Sequence, residues 1–193
     1  MERFFANKKH NSVLVIGCFH GDEPQGKYLA EEYIKENPDT LLMFIPCLNE
    51  SGVKLHRRGN KNGVDLNRNF PASNWVLSDR DEYFGGESPA SEEETRFVID
   101  IVKKFLPKLV LTLHAPYKTV NYDGNAREAA EKISEITGYP VTDSIGYPTP
   151  GSFGTWAGLE KNIPVITLEL DDTIEVQRLK EPIFKVFKLL EGY

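Results

Sequence analysis

Four short runs of this chain are apolar with little alternation: VLVIGCF at 13–19, LLMFIP at 41–46, LVLTL at 109–113 and VITLEL at 165–170. A strand with one wet face alternates apolar and polar residues, whereas an unbroken apolar run suits a sheet covered on both faces. Helical patterns lie between the runs. Residues 24–36 open with Pro24, suited to a first turn, and place Leu29, Ala30, Tyr33 and Ile34 on one face. Residues 91–105 open with Ser91-Glu92-Glu93-Glu94, a capping-box signature, ahead of an apolar face of Phe97, Val98, Ile101, Val102 and Phe105. Residues 125–137 run to Gly138, a C-cap glycine by position. The tail 173–191 reads as helix that Pro182 interrupts and restarts. Strands alternating with helices predict an α/β fold, a three-layer sandwich with a mixed, largely parallel twisted sheet flanked by helices. A chain of 193 residues without repeat, low-complexity tract or linker predicts one domain spanning 1–193.

Charge and composition narrow the partners. A net charge of −6 argues against a nucleic-acid binder that relies on a broad basic surface. The longest apolar stretches are about six residues, far short of a membrane span. The N-terminal stretch MERFFANKKHNSVLVIG has no basic segment leading into a long apolar run and no small-residue cleavage site. These features predict a cytoplasmic protein with neither nucleic acid nor membrane as partner. Cys18 and Cys47 are too few for a disulfide framework, and they sit near strand ends as reduced core thiols do. No pattern points to an oligomeric state.

Chemistry-bearing residues enter where the apolar runs end. His20-Gly21-Asp22-Glu23 follows the first run, and His114 closes the third. In α/β sheets, ligands bind outside the carboxyl ends of the strands. The H-x-x-E spacing lets one tight turn, eased by Gly21, aim an imidazole and a carboxylate at one point. Zinc accepts that donor set, and a catalytic zinc takes three protein ligands, so His20, Glu23 and His114 form a candidate site for one Zn2+ ion. Each motif taken alone is more often a hydrogen-bonded turn after a strand, and it is the two together, each ending an apolar strand, that bring the metal reading level with that one. Glu169 interrupts the last run. A buried carboxylate is costly to desolvate unless paired or used, and at a strand end beside a metal it suits a general base toward a bound water. The competing reading is an acid that simply reaches solvent, since Asp171 and Asp172 follow at once.

The long irregular stretch 47–90 holds RRGNKNGVDLNRNFP at 57–71, with three arginines and four asparagines around Val64-Asp65-Leu66. Arginine is the side chain for bidentate recognition of a carboxylate, and asparagine adds a neutral donor beside it. A second arginine suits a developing oxyanion. A solvated basic loop is the plain alternative, and the interleaved apolar residues argue against it.

In this order, H-G-D-E at 20–23, G-V-D-L-N-R-N-F-P at 63–71, S-E-E-E-T-R at 91–96, L-H-A-P at 113–116 and L-E-L at 168–170 resemble the zinc carboxypeptidase family. IGYPTPGSFGTW at 145–156 and the His-Ala-Pro make the chain most similar to the small bacterial murein peptide amidase branch, which cleaves a γ-D-glutamyl–meso-diaminopimelate bond. The resemblance implies a zinc-dependent exopeptidase acting beside a free terminal carboxylate, with a small murein peptide as substrate. It implies His20, Glu23 and His114 as metal ligands and Glu169 as the general base. Asn67 and Arg68 match the pair that grips the terminal carboxylate. Arg58 matches the arginine that polarises the scissile carbonyl, with Arg57 as the competing choice. Tyr147 looks like a mobile tyrosine that closes over substrate, and Asp65 like the acid that orients a metal histidine. No charged residue in 148–158 reads a cationic side chain, which leaves Asp123, Asp143 or Asp171 for a diaminopimelate end. The chain is shorter than most catalytic domains of the family, so a leading strand or enclosing loop is expected to be missing and the pocket more open. Two alternatives stand beside this reading. Desuccinylases and aspartoacylases share H-G-x-E and an N-R-x-F-P loop and act on N-acyl amino acids. A non-catalytic binding module keeps a peptidase fold without its chemistry.

Overall fold

The computed structural model of the chain describes residues 3–144 and 146–193. Its strands are β1 (Val13–Gly17), β2 (Met43–Ile45), β3 (Leu109–His114), β4 (Thr119–Asp123), β5 (Val141–Thr142) and β6 (Val165–Glu169). They form one six-stranded sheet in the order β2-β1-β3-β6-β4-β5. β1 is parallel to β2 and to β3, β3 to β6, and β4 to β5, whereas β4 and β6 are antiparallel. The mixed, largely parallel sheet expected from the sequence is therefore the sheet observed.

Alternating side chains send each strand into two cores. Val13, Val15, Leu111, Leu113, Ile166 and Leu168 pack against α1 (Gln25–Glu36), α4 (Arg127–Thr137) and α5 (Val176–Leu190). Leu14, Ile16, Val110 and Val165 face the other way, toward α3 (Glu93–Phe105), Leu66 and Phe70 of the long loop, and Trp156 of a π-helix at Gly154–Glu160. Cover on both faces is why the strand sequences do not alternate.

Several elements differ from expectation, each for a local reason. α5 runs unbroken through Pro182. A proline inside a helix costs about 3 kcal/mol. Leu179, Ile183, Val186, Phe187 and Leu190 are all buried on that helix, and burying each such side chain contributes roughly 1.5–3 kcal/mol, which outweighs the loss. The expected capping box at Ser91 does not form. The helix begins two residues later, at Glu93, and Glu92 makes no side-chain cap. Glu92 is instead recruited by the long loop, accepting from Asn60 Nδ2 at 2.8 Å and Asn62 Nδ2 at 2.7 Å. Asn69 Oδ1 takes the Glu92 amide at 3.1 Å in its place. The stretch 47–90 is not structureless either, since it contains α2 (Glu50–Leu55) and a 3-10 turn at Leu66–Arg68. Gly138 ends α4 with a left-handed φ of +74°, as its position predicted.

Gly21 has a different use from the one its sequence suggested. The left-handed residue of the turn after β1 is Cys18, at φ 53°. Gly21 lies against α2, where an added Cβ would stand 2.0 Å from the carbonyl carbon of Gly52. The turn that carries His20 and Glu23 is thereby pressed onto a helix backbone. Gly21→Ala is expected to cost about 3 kcal/mol through overpacking. Gly138→Ala, with nothing within 4 Å of the new Cβ, is expected to cost about 1 kcal/mol of backbone strain alone. Urea unfolding of both variants measures the difference.

Candidate active site

The parallel strands deliver their carboxyl ends to one edge of the sheet, and chemistry-bearing side chains collect there. After β1 the chain turns at His20, and the Gly21 amide donates to the Arg58 carbonyl at 3.1 Å. β3 ends in His114, paired in register with Glu169 at the end of β6. The turn and the strand bring His20 Nδ1 to 2.7 Å from Glu23 Oε1, His114 Nδ1 to 3.1 Å from Glu23 Oε2, and the two imidazole Nδ1 atoms to 3.3 Å. One ligand atom from each of the three residues lies within 4.8 Å of the others. The Ala115 amide also donates to Glu23 Oε2, at 3.2 Å, which steadies the carboxylate.

Asp65 stands behind this group and is fully buried. Its Oδ1 accepts from His20 Nε2 at 3.2 Å and from the Asn67 amide at 2.8 Å. Its Oδ2 accepts from Arg58 Nε at 2.9 Å and Nη2 at 2.8 Å. The bond from Nε2 fixes a proton there, so that when the ring is neutral Nδ1 carries the lone pair that faces Glu23 and His114. Burial works against a charged His20 ring, yet the Glu23 and Asp65 carboxylates outweigh it and raise the ring to about 9. Burial likewise opposes ionised Glu23 and Asp65, but His20 beside them, with His114 for Glu23 and Arg58 for Asp65, holds both well below the usual carboxylate range. Two ionised carboxylates, Glu23 and Asp65, thus stand at a converging N, O, N donor set. Two imidazoles and a carboxylate are the donors of a catalytic zinc, and the group fits one.

Loop residues complete the pocket. Leu66 and Phe70 are fully buried, so the short turn between them presents its polar residues to the opposite side. Asn67 Oδ1 accepts from the Phe153 amide at 2.9 Å, which leaves the Nδ2 hydrogens for the pocket. Arg68 is 6% exposed and donates from Nη1 to the Asn67 carbonyl at 2.8 Å. Among the described residues no carboxylate pairs with it. Arg58 faces the pocket and lies 3.8 Å from Glu23. Arg57 turns away and donates to the Asn60 carbonyl at 2.5 Å, and it does not line the pocket. Glu169 is 6% exposed, and its Oε2 is buried without a hydrogen-bond partner among the described residues. Burial raises its carboxyl above the ordinary value. Tyr147, 42% exposed, stands at the rim of the same cavity of about 500 Å3. The motif at 145–156 that contains it begins at Ile145, which lies outside the described residues.

The three acids considered for a cationic end separate clearly. Asp171 pairs with Lys118 at 3.5 Å and does not line the cavity. Asp143 lines it but is exposed, and Asp123 lines it half-buried. Sequence reasoning missed Tyr83, whose ring lies 5.1 Å from the Arg58 guanidinium carbon and 6.0 Å from that of Arg68. It sits in Asp-Glu-Tyr-Phe, a stretch with no motif to mark it. His56 ends α2 on the surface, and His10 is half-buried with its ring edge-on to Phe105 at 5.5 Å.

The fold and this pocket define a metallohydrolase, and the family model for zinc carboxypeptidases matches residues 5–134. The chain belongs to the zinc carboxypeptidase family and is a hydrolase. It is 31% identical to murein peptide amidase A of Escherichia coli over 94% of this chain and 80% of the relative. With the murein peptide amidase A of Vibrio campbellii it shares 30% identity over 81% of this chain and 68% of that one. The crystal structure of murein-tripeptide amidase from Escherichia coli O157 superposes with a TM-score of 0.85 at 28% identity, covering 98% of this chain and 86% of that one. Thrombin-activatable fibrinolysis inhibitor shares the fold, with a TM-score of 0.74 at 18% identity over 98% of this chain and 65% of that one.

Removing Asp65 leaves the buried His20 ring and the partly buried Arg58 guanidinium without their acid. Asp65→Ala is expected to destabilise the protein by about 3–5 kcal/mol, the cost of breaking a buried ion pair from one side. Asp65→Asn, which keeps the shape and one acceptor oxygen, is expected to cost less. Urea denaturation in the presence of a chelator reads the structural cost without a contribution from bound metal.

Proposed function

We propose that the protein is a zinc-dependent exopeptidase that hydrolyses the amide bond next to a free terminal carboxylate in a small murein peptide, the γ-D-glutamyl–meso-diaminopimelate bond. The observation that carries the reading is the content of one cavity. It holds the His20–Glu23–His114 group, a buried Glu169 with an unpartnered oxygen, and a buried Arg68 with no carboxylate of its own. The substrate class is supported by the similarity to the two murein peptide amidases.

His20, Glu23 and His114 would hold one zinc ion. Bound there, zinc supplies a Lewis acid that polarises a carbonyl oxygen and lowers the pKa of a water toward neutrality. The remaining work falls to the chain's own groups. Arg68 grips the substrate carboxylate in a charge-assisted pair, and Asn67 adds its Nδ2 hydrogens beside it. Those contacts set the scissile carbonyl within reach of Arg58, whose Nη1 hydrogens are not spent on Asp65. Arg58 stabilises charge as it develops on the carbonyl oxygen, and loss of such a donor typically costs about a hundredfold or more in rate. Glu169 takes a proton from the attacking water at Oε2 and returns it to the leaving amine. Its raised affinity for a proton suits that shuttle. Tyr147 closes over the bound peptide and excludes bulk water. The chain acts as a single catalytic unit. Two free buried thiols and a net charge of −6 accord with a cytoplasmic enzyme that works without nucleic acid or membrane.

Glu169→Gln is expected to retain one zinc per chain by elemental analysis while turnover falls at least about a thousandfold. A variant near the native rate would remove Glu169 from the reaction. Purified protein is expected to release diaminopimelate from murein tripeptide and to leave N-succinyl and N-acetyl amino acids intact. The reverse preference would favour the deacylase reading. Arg68→Ala should slow the free-carboxylate peptide and not its carboxamide, and equal losses on both would contradict the gripping role.

A further inference from the structure

Arg58 and Arg68 are held by hydrogen bonds that run from the edges of their guanidiniums. Arg58 gives Nε and Nη2 to Asp65, and Arg68 gives Nη1 to the Asn67 carbonyl. A guanidinium donates only at its edge, and its weakly hydrated faces stack on aromatic rings. Tyr83 offers one ring to both cations. The ring centroid lies 5.1 Å from Arg58 Cζ and 6.0 Å from Arg68 Cζ. Both separations are within reach of a cation–π attraction.

The backbone that carries the ring is tied to the segment that carries Arg68 and the acid of Arg58. The Asp65 amide donates to the Phe84 carbonyl at 2.8 Å, and Asn69 Nδ2 donates to the Gly85 carbonyl at 2.8 Å. A Cβ on Gly85 would stand 2.6 Å from the Arg68 carbonyl oxygen, so the chain runs directly against Arg68 just after the ring. The Tyr83 amide closes a turn by donating to Asp81 Oδ1 at 2.8 Å. Phe84 is buried and anchors the stretch, whereas Tyr83 is 45% exposed and is carried at the surface beside the two cations. Tyr83 and Arg68 also line both the candidate active-site cavity and an adjoining one of about 510 Å3. Without the ring, water in the second cavity gains another approach to Arg68, and a hydrated cation attracts a carboxylate less strongly than a desolvated one.

We propose that Tyr83 is a positioning residue that acts through both arginines, steadying Arg58 and Arg68 by their faces while leaving their edge donors to the substrate. This role rests on the proposed hydrolase function and adds a residue to it. Both cations must be ordered before an anion arrives, Arg68 for a carboxylate and Arg58 for charge developing on the carbonyl oxygen. An acid in the place of Tyr83 would order them by taking the same N–H donors, and so would compete with the substrate. An aromatic face attracts the cations without using a donor, so each arginine keeps the ring when its edge engages the ligand. Ordering the groups in advance lowers the cost of binding. The ring face carries the effect, and the Tyr83 hydroxyl takes no part in it.

The test uses zinc-loaded protein, murein tripeptide, and the same peptide with the carboxylate beside the scissile bond blocked as a carboxamide. Tyr83→Phe keeps the ring and is expected to hold kcat and KM within about twofold of native on both peptides. Tyr83→Leu keeps apolar bulk without a π face. It is expected to lower kcat/KM about tenfold on the free-carboxylate peptide, with KM raised through Arg68 and kcat lowered through Arg58. On the carboxamide, where only the Arg58 share remains, the loss is expected to be about threefold. In an Arg68→Ala background, Tyr83→Leu should likewise cost only about threefold on the free-carboxylate peptide, because residues that act through one another are not additive. Should Tyr83→Leu fold poorly, Tyr83→Gln, polar and of similar length, is read in its place. A native rate for Tyr83→Leu on the free-carboxylate peptide would overturn the role of Tyr83 and leave the hydrolase reading intact. A loss in Tyr83→Phe as large as in Tyr83→Leu would overturn it by assigning the effect to the hydroxyl. Equal losses on the two peptides, or a full tenfold loss in the Arg68→Ala background, would overturn action through Arg68. No hydrolysis of either peptide by the native protein would overturn the proposed function itself, and this role with it.

Discussion

The site is organised around a single buried carboxylate. Asp65 accepts four N–H bonds, from His20, the Asn67 amide and two nitrogens of Arg58. Four acceptances fill the lone-pair capacity of a carboxylate. Each bond serves a different part of the site. The first fixes the tautomer of a candidate metal histidine, the second caps the turn that aims Asn67 and Arg68, and the last pair holds the guanidinium beside Glu23. An acid this buried is costly to ionise in isolation, and it stays ionised because its cationic and polar partners surround it. The same arrangement makes the parts interdependent, since none of these side chains can shift without unpairing a charge.

The sheet supplies the rest of the preorganisation. His114 and Glu169 are register partners on adjacent parallel strands, so their separation is set by backbone pairing rather than by flexible loops. His20 and Glu23 sit on a turn clamped between α2 and the Arg58 carbonyl. Other pocket-lining groups are distributed differently. Arg68, Tyr83 and Tyr147 come from long connections, and both tyrosines are more than 40% exposed. The candidate metal group is therefore on strands and a clamped turn, Arg68 is buried on a hydrogen-bonded loop, and the two tyrosines stand at the rim.

Much of this was legible in the sequence because apolar runs and their ends carry direct physical meaning. VLVIGCF, LVLTL and VITLEL had to be buried strands, and the polar residues that stop them had to emerge at one edge. The run GVDLNRNFP was legible through its resemblance to the zinc carboxypeptidases, while its interleaved Val64, Leu66 and Phe70, all buried, argued only against a fully solvated loop. β4 was missed because Thr119-Val120-Asn121-Tyr122-Asp123 is an alternating strand with one polar face, and that face lines the cavity. β5 is two residues long and carries almost no signal. The capping box at Ser91 failed because Glu92 had a stronger engagement with Asn60 and Asn62, partners more than 29 residues away that local reading does not weigh. Pro182 misled for the same reason, since the burial that carries α5 through it comes from the sheet.

The irregular stretch between 47 and 90 shows what long-range hydrogen bonding adds to a loop of this kind. Asn60 Oδ1 closes the turn at 62–64 by accepting two backbone amides, while its Nδ2 reaches Glu92. Asn69 Nδ2 gathers the carbonyls of Gly85 and Ser88 and the Ser91 hydroxyl. These asparagines do not line the cavity, yet they hold the segment on which Asp65, Asn67 and Arg68 ride. Composition alone would assign an Asn-rich, Gly-rich stretch to flexible coil. Because each buried amide here finds several partners, the loop behaves as a rigid part of the scaffold, and the arginine it carries can remain desolvated without a carboxylate partner among the described residues.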